Sequence, residues 1–270
     1  IIALWIVHTY LFQIADVTPY LNIYSSEKRC GKTLLLEIME MLVNKPWLTG
    51  KVTPAVLARK VDAEQPTLLL DESDAAFKGD KEYSETLRGI LNTGYRIGGK
   101  CSICIGQGAS IGYKDLSTFC PKAIAGIGKL PDTVADRSIP IVLKRRTKDE
   151  IVDKFKRRKV KPIAETLVQR IISWTEIITP IIAGAEPNIP DLLNDRAADC
   201  IEPLLAIADA VSIDWAKSAR AAAISLLCDG KTQDDSLGIL LLKDIKSIFG
   251  EDIKQIPSTD LIDKLIAIEE

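Results

Sequence analysis

YLNIYSSEKRCGKT (20–33), continued by TLLLEIMEMLV to residue 43, decides how this chain of 270 residues is read. TPYLNIYS (18–25) reads as a short buried strand, Pro19 ending the helix before it, SEKRCGKT (26–33) as a loop, and the run from Thr33 as a helix by its apolar spacing. A phosphate-cradling loop of pattern GxxxxGK[ST] needs that order of strand, loop and helix. Here Ser26 replaces the first glycine. The physics is retained, because successive backbone N–H groups across Ser26, Glu27, Lys28, Arg29 and Cys30, and the positive helix end at Gly31–Leu34, still suit an anion. Gly31 permits close backbone approach, Lys32 carries an ammonium to the β- and γ-phosphates, and the Thr33 hydroxyl is a ligand for magnesium.

A second stretch gives this loop its context. TLLLDES (67–73) follows Pro66 and reads as a fully buried strand ending in two acids. Asp71 would hold Mg2+ through water and Glu72 would polarise an attacking water, so the expected cofactors are ATP and Mg2+. The plain alternative is a strand end turning into solvent. The paired acids favour hydrolysis over phosphoryl transfer to a small acceptor, and the absence of an NKxD sequence after the loop argues against guanine recognition.

Around these two motifs the first half alternates strands and helices. Residues 1–15 read as a helix, 53–61 as a helix capped by Thr53 with Pro54 in its first turn, and 81–93 as another ending near Gly94. YRIGGKCSICIG (95–106) predicts a hairpin turning at its Gly-Gly pair, PKAIAGIG (121–128) a buried strand, and DRSIPIVLKRR (136–146) a strand running into a basic tail. Beyond about residue 150 strand signals stop and helical spacing recurs through 163–183, 196–210 and 214–228. The expected fold class is therefore α/β, a parallel-sheet core with helices on both faces followed by an all-α lid. The expected domains are a core at 1–147, a lid at 148–230 and a small helical, winged-helix-like appendage at 231–270. Six scattered cysteines and no apolar run of membrane-spanning length suggest a reduced, cytoplasmic setting with no membrane partner. Cys101 and Cys104 form a CxxC without a second pair, and a strand would point them to opposite faces, which argues against zinc.

These pieces resemble, in order, the AAA+ P-loop ATPases, and within them the superfamily-three helicases of viruses and plasmids. More closely, HTYLFQIADVTPYLNIYSSEKRCGKT, TLLLDESD, LRGILNTGYRIGGK, FCPKAIAGIGKLPDTVADRSI and LNDRAADCIEPLLAIAD are similar to an uncharacterised family, domain of unknown function 3631. That family is found beside primase-like modules on phage, plasmid and integrated elements. The resemblance extends over nearly all of the chain. It implies a homo-oligomeric ring ATPase in replication of a mobile element, with a primase as partner or fused domain. In ring ATPases an arginine after this last strand reaches the neighbour's γ-phosphate, which points to Arg137; the alternative is a surface Asp136–Arg137 pair. Arg196, in LNDRAAD, corresponds to lid arginines that touch the γ-phosphate; the alternative is a bridge to Asp195 or Asp199. One departure is that Gly126 and Gly128 stand where such rings carry a polar γ-phosphate sensor, with a backbone group, Lys129 or Thr133 as substitutes.

A net charge of −2 excludes binding DNA by bulk electrostatics. Locally, residues 144–161 hold ten Lys or Arg against three acids, a charge of +7 that leaves −9 for the rest. This stretch is either a DNA or subunit contact or a solvated linker helix. Arg96, Lys100 and Lys114 flank the expected hairpin and would line a DNA-facing loop, single-stranded or at a fork, or serve as ordinary turn residues. Three functions stay open: a DNA helicase or translocase driven by ATP hydrolysis, an ATPase switch that loads or regulates a primase, and an ATP-binding module without turnover.

Overall fold

Alternation along the strands gives the sheet two apolar faces. In the computed structural model, residues 1–73, 77, 80–106, 112–147, 150, 152–228, 237–249 and 255–266 are described. Five strands, β1 (Tyr20–Ser25), β2 (Pro46–Thr49), β3 (Thr67–Leu70), β6 (Lys122–Ile127) and β7 (Ser138–Val142), form one parallel sheet in the order β2-β3-β6-β1-β7. Leu21, Ile23, Leu69, Ala123, Ala125, Ile139 and Ile141 face one side, whereas Tyr20, Leu68, Leu70 and Ile124 face the other. Both faces are apolar, so both must be covered, as parallel sheets require.

The first face packs against α1 (Ile2–Leu11), α2 (Lys32–Glu40), α6 (Arg157–Ile182), α7 (Asp195–Val211) and α8 (Ile213–Cys228), through Trp5, Leu36, Met39, Ile178, Leu204, Leu205 and Ala219. The second packs against α3 (Pro54–Glu64) and α4 (Lys81–Thr93), through Leu57, Val61, Leu87 and Leu91. The expected cap is present: Thr53 Oγ1 accepts the Val56 N–H at 3.4 Å with Pro54 opening α3. Asp80 caps α4 in the same way, accepting from Tyr83 N at 2.8 Å. A short helix, α5 (Asp132–Ala135), links β6 to β7.

The chain divides into a unit Ile1–Leu227 and a unit Cys228–Glu270. The second unit contains α9 (Leu237–Phe249) and α10 (Ser258–Ile266). Residues 229–236, 250–254 and 267–270 of the expected appendage lie outside the described residues, as do Lys148, Asp149 and Ile151 of the basic stretch. Among the described residues, no helix is long and apolar enough to cross a membrane.

The hairpin differs from expectation. Its strands are β4 (Lys100–Ile105) and β5 (Gly112–Ser117), paired antiparallel from Lys100↔Ser117 to Ile105↔Gly112. Gly98-Gly99 is not the turn but the joint by which α4 enters β4. Gly98 has φ +77°, and a Cβ on Gly99 would lie 1.9 Å from the Thr93 carbonyl oxygen. Glycine is needed there because helix end and strand start are pressed together. The basic stretch also differs, since residues 143–147 and 152–156 carry no regular structure and the helix starts only at Arg157.

Candidate functional site

Parallel strands deliver their following loops to one edge of the sheet. β1 hands over to α2 through residues 26–31, and β3 ends at Leu70, immediately before Asp71. β6 lies between them in the sheet, yet the two loops meet. Thr33 Oγ1 donates to Asp71 Oδ2 at 2.7 Å, and the other carboxylate oxygen accepts the Glu72 N–H at 2.9 Å. Asp71 N in turn donates to the Thr49 carbonyl at 2.9 Å, fixing the strand end.

The loop turns on two left-handed residues, Arg29 (φ 64°) and Gly31 (φ 87°). A Cβ built on Gly31 meets nothing within 4 Å, so the space beside this residue is open. Lys32 folds back across the loop, donating to Ser25 Oγ at 2.5 Å and to the Glu27 carbonyl at 3.3 Å. The Ser25 hydroxyl itself donates to the Glu27 carbonyl at 2.6 Å. Ser26, Glu27, Lys28, Arg29, Gly31, Thr33 and Leu34 are exposed and Cys30 is half-buried, its thiol donating to the Glu27 carbonyl at 3.4 Å. Glu72 is exposed with φ 55°, a conformation that costs a non-glycine residue about 1 kcal/mol and collects at functional positions.

The donor set suits magnesium. A hydroxyl and a carboxylate are hard oxygen ligands, already facing each other at hydrogen-bond distance, and Mg2+ takes one or two carboxylates plus phosphate and water oxygens. An ammonium and an open run of loop N–H groups stand beside them, which is the complement of a polyphosphate.

Other expected residues lie elsewhere. Arg137 precedes β7, half-exposed, with its Nη1 donating to the Thr133 carbonyl at 2.5 Å. Arg196 pairs neither with Asp195 nor with Asp199: its Nε is 3.3 Å from Asp136 Oδ2, beside Arg137. Arg96 is held by Asp199 at 2.7 Å and Lys114 by Asp62 at 3.2 Å, whereas Lys100 is exposed at the foot of β4. In the basic stretch Arg157 bridges to Glu40 at 2.8 Å, and Lys144, Arg145, Arg146, Lys154, Lys156, Arg158, Lys159 and Lys161 are exposed. Gly128 closes β6 with φ 86° and its N–H 3.4 Å from the Ser25 carbonyl.

Sequence reasoning missed Ser25, the last residue of β1 and wholly buried, whose hydroxyl anchors Lys32. The pattern starts one residue later, so only the strand boundary could have drawn attention to it. It also missed Asp136 and Asp199 as partners of Arg196 and Arg96, because those pairings span 60 and 103 residues of chain.

Residues 142–270 match the model of a family described as "Protein of unknown function (DUF3631)". Arg196 lies inside that match, and residues 26–34, Asp71, Glu72 and Arg137 lie before it. An "Uncharacterized 28.9 kDa protein in xis 5'region" of Saccharopolyspora erythraea is 36% identical over 124 residues, 46% of each chain. Among solved structures, "The A form apo structure of NrS-1 C terminal region-CTR" aligns with 99% of this chain and 56% of its own, at 14% identity and a TM-score of 0.43. A second form, "CTR(305-718)", aligns with 99% of this chain and 57% of its own, at 14% identity and a TM-score of 0.36. The chain thus spans about half the length of the proteins to which it is similar, and its C-terminal half resembles a family of unknown function.

Proposed function

We propose that this chain binds magnesium–ATP at the carboxyl edge of its sheet and hydrolyses it as an AAA+-like P-loop ATPase. One observation carries the reading: the Thr33–Asp71 contact at 2.7 Å, made across an intervening strand and beside Lys32. Lys32 leaves Ser25 Oγ and the Glu27 carbonyl for the β- and γ-phosphate oxygens. The N–H groups of residues 27–33 cradle the β-phosphate at the start of α2. Thr33 and Asp71, which now bond to each other at 2.7 Å, would hold the magnesium ion. The ion would supply neutralisation of the phosphate charge. Glu72, one residue beyond Asp71, orients and polarises the attacking water. Arg137 serves in trans, leaving the Thr133 carbonyl to reach a neighbouring copy's γ-phosphate in a homo-oligomer.

By the family resemblance, this hydrolysis serves replication of a mobile element, either moving DNA or switching a primase-like partner. Two of the three cations around the hairpin, Arg96 and Lys114, are already neutralised within the chain, which favours the switch over the motor. Purified protein assayed with and without single-stranded DNA separates these. Stimulation together with strand displacement supports the motor, and hydrolysis indifferent to DNA supports the switch. Lys32→Ala should lower turnover by about 10³-fold with weakened binding, whereas Glu72→Gln should lower turnover comparably and still bind. ATP binding by the wild type without turnover would leave only a structural module. No binding would overturn the reading.

A further inference from the structure

The LNDRAAD segment (193–199) leads into and opens α7, and the hydrolysis scheme above uses none of it. Its position in the fold gives it another task. Asn194 caps α7, accepting the Ala197 N–H at 2.9 Å, and this sets the rotation of the first two turns. Arg196, Asp199 and Cys200 then share one side of the helix, three and four residues apart. All three reach out of the helical half. Arg196 meets Asp136 at 3.3 Å, and Asp199 accepts from Arg96 at 2.7 Å. Cys200, 1% exposed, sits between two partners: the Tyr95 hydroxyl donates to its sulfur at 3.4 Å, and its thiol lies 3.9 Å from the Asp136 carbonyl.

The two places so gripped are not arbitrary. Asp136 adjoins Arg137, at the corner between α5 and β7. Arg96 and Tyr95 form the root of the β4–β5 hairpin: the Arg96 carbonyl accepts from Gly99 N at 3.0 Å, and the Gly99 carbonyl accepts from Thr118 N at 3.0 Å, just past β5. Tyr95 is 1% exposed and wedged edge-on against Tyr20 at 6.2 Å. Burial pushes the Cys200 thiol up to about 11, with Asp136 and Asp199 acting the same way, so it stays protonated as a donor at neutral pH.

We propose that the first two turns of α7 are a positioning element, with Arg196, Asp199 and Cys200 tying the Asp136–Arg137 corner to the root of the β4–β5 hairpin so that displacement of either is felt at the other. The linkage is reciprocal by thermodynamic necessity. It makes Arg196, Asp199 and Cys200 positioning residues, acting through Asp136, Arg96 and Tyr95. The proposal concerns how the site described above communicates, and so rests on that reading for its use, though not for its test.

The test is amide hydrogen exchange on the full chain, with and without magnesium–ATP. In nucleotide-free protein, Asp199→Asn cuts the hairpin end and should speed exchange not only in 100–105 and 112–117 but also at residues 134–137, by about two- to fivefold, the range of a partly exposed ion pair. Asp136→Asn cuts the other end and should loosen the hairpin by a similar factor. The double variant with Arg96→Gln and Asp199→Asn should add nothing beyond either single change. Effects confined to the end that was cut, or simple additivity of Arg96→Gln and Asp199→Asn, would overturn the proposal. In the nucleotide arm, ATP should slow hairpin exchange in the wild type and lose that effect in Asp199→Asn; an undiminished effect in the variant also overturns it. A wild type that binds no ATP refutes the nucleotide site, and the nucleotide-free comparison still decides the linkage.

Discussion

Two lysines mark the two edges of the sheet. Lys32 stands beyond the carboxyl end of β1, opening α2 after a loop whose residues are mostly exposed, and its ammonium bonds back to Ser25 and Glu27. Lys122 opens β6 at the amino edge and is wholly buried. Its Nζ donates to the carbonyls of Thr118 and Cys120 at 2.9 Å and of Gly94 at 3.3 Å, and lies 4.8 Å from the centre of the Tyr20 ring. Burial pushes its pKa down, but three carbonyl acceptors call for three N–H donors, which only the ammonium has. At the same edge His8, Thr18, Tyr20 and Tyr95 are each 1% exposed or less. The polar contacts of these residues are committed to holding the chain. At the carboxyl edge the contacts are mostly exposed. On the proposed reading they give way to a ligand's, so that stability and chemistry are separated across one sheet, as in other open parallel sheets.

The separation is broken most forcefully by paired substitutions. Lys32→Ala should remove about 10³-fold of turnover while leaving the thermal midpoint close to that of the wild type, because its partners Ser25 and Glu27 already bond to each other. Lys122→Ala should do the reverse. It strands three carbonyls and opens a void among Tyr20, Gly94 and Cys120, costing about 3–4 kcal/mol of unfolding free energy. Turnover per folded molecule should persist. Chemical denaturation and ATPase assays on both variants check this; wild-type stability in the Lys122→Ala protein would erase the contrast between the edges.

The same contrast decides what was legible in the sequence. The placement of SEKRCGKT between a strand and a helix, and of Asp71 and Glu72 after a buried strand, could be read because each motif carries its own local structure: apolar run, turn, then helix or acid. The buried strands 67–70 and 122–127 announced themselves by their apolar runs, Leu68–Leu70 and Ala123–Ile127. β2 did not, since four exposed or half-exposed residues at a sheet edge carry no period. β5, GYKDLS, is exposed along most of its length and is defined by its pairing with β4 alone. The Gly-Gly pair misled because glycine signals both turns and close approaches, and only the Thr93 carbonyl shows which applies. Nothing local foretold Lys122: a lysine entering a buried strand reads as a solvated strand start until Gly94, from a different element, supplies an acceptor.

His8 sharpens the comparison through pH. Its Nε2 lies 3.0 Å from Thr18 Oγ1, and burial lowers its pKa from 6.5 to about 3. The folded chain thus keeps it neutral where the unfolded chain takes up a proton. Its contribution is complete above pH 6.5 and declines as pH falls towards about 3, at about 1.4 kcal/mol per pH unit. Between about pH 7 and pH 5 the wild type should lose about 2 kcal/mol that a His8→Gln variant does not. Urea midpoints at about pH 7, 6 and 5 measure the difference, and parallel slopes in the two proteins would mean that another group titrates.

The smallest effect is expected on the hairpin, which is tied to α3 by Asp62. That carboxylate accepts the Ser117 N–H at 2.9 Å and the Lys114 ammonium at 3.2 Å. The backbone donor foremost, then the lysine, hold its pKa below the usual 3.8, against an opposing effect of burial. A depressed carboxyl stabilises the fold above its unfolded value, and that stabilisation disappears as pH falls through the lower, folded value. The tie should therefore be intact at neutral pH and released only below pH 3.8. Asp62→Asn keeps an oxygen for Ser117 but removes the charge that Lys114 needs, so it should cost under about 1 kcal/mol. Exchange of the Ser117 amide at neutral pH should quicken in the variant while that of the β1 amides stays put. If β1 loosens equally, Asp62 belongs to the sheet's stability and not to a separately tethered hairpin.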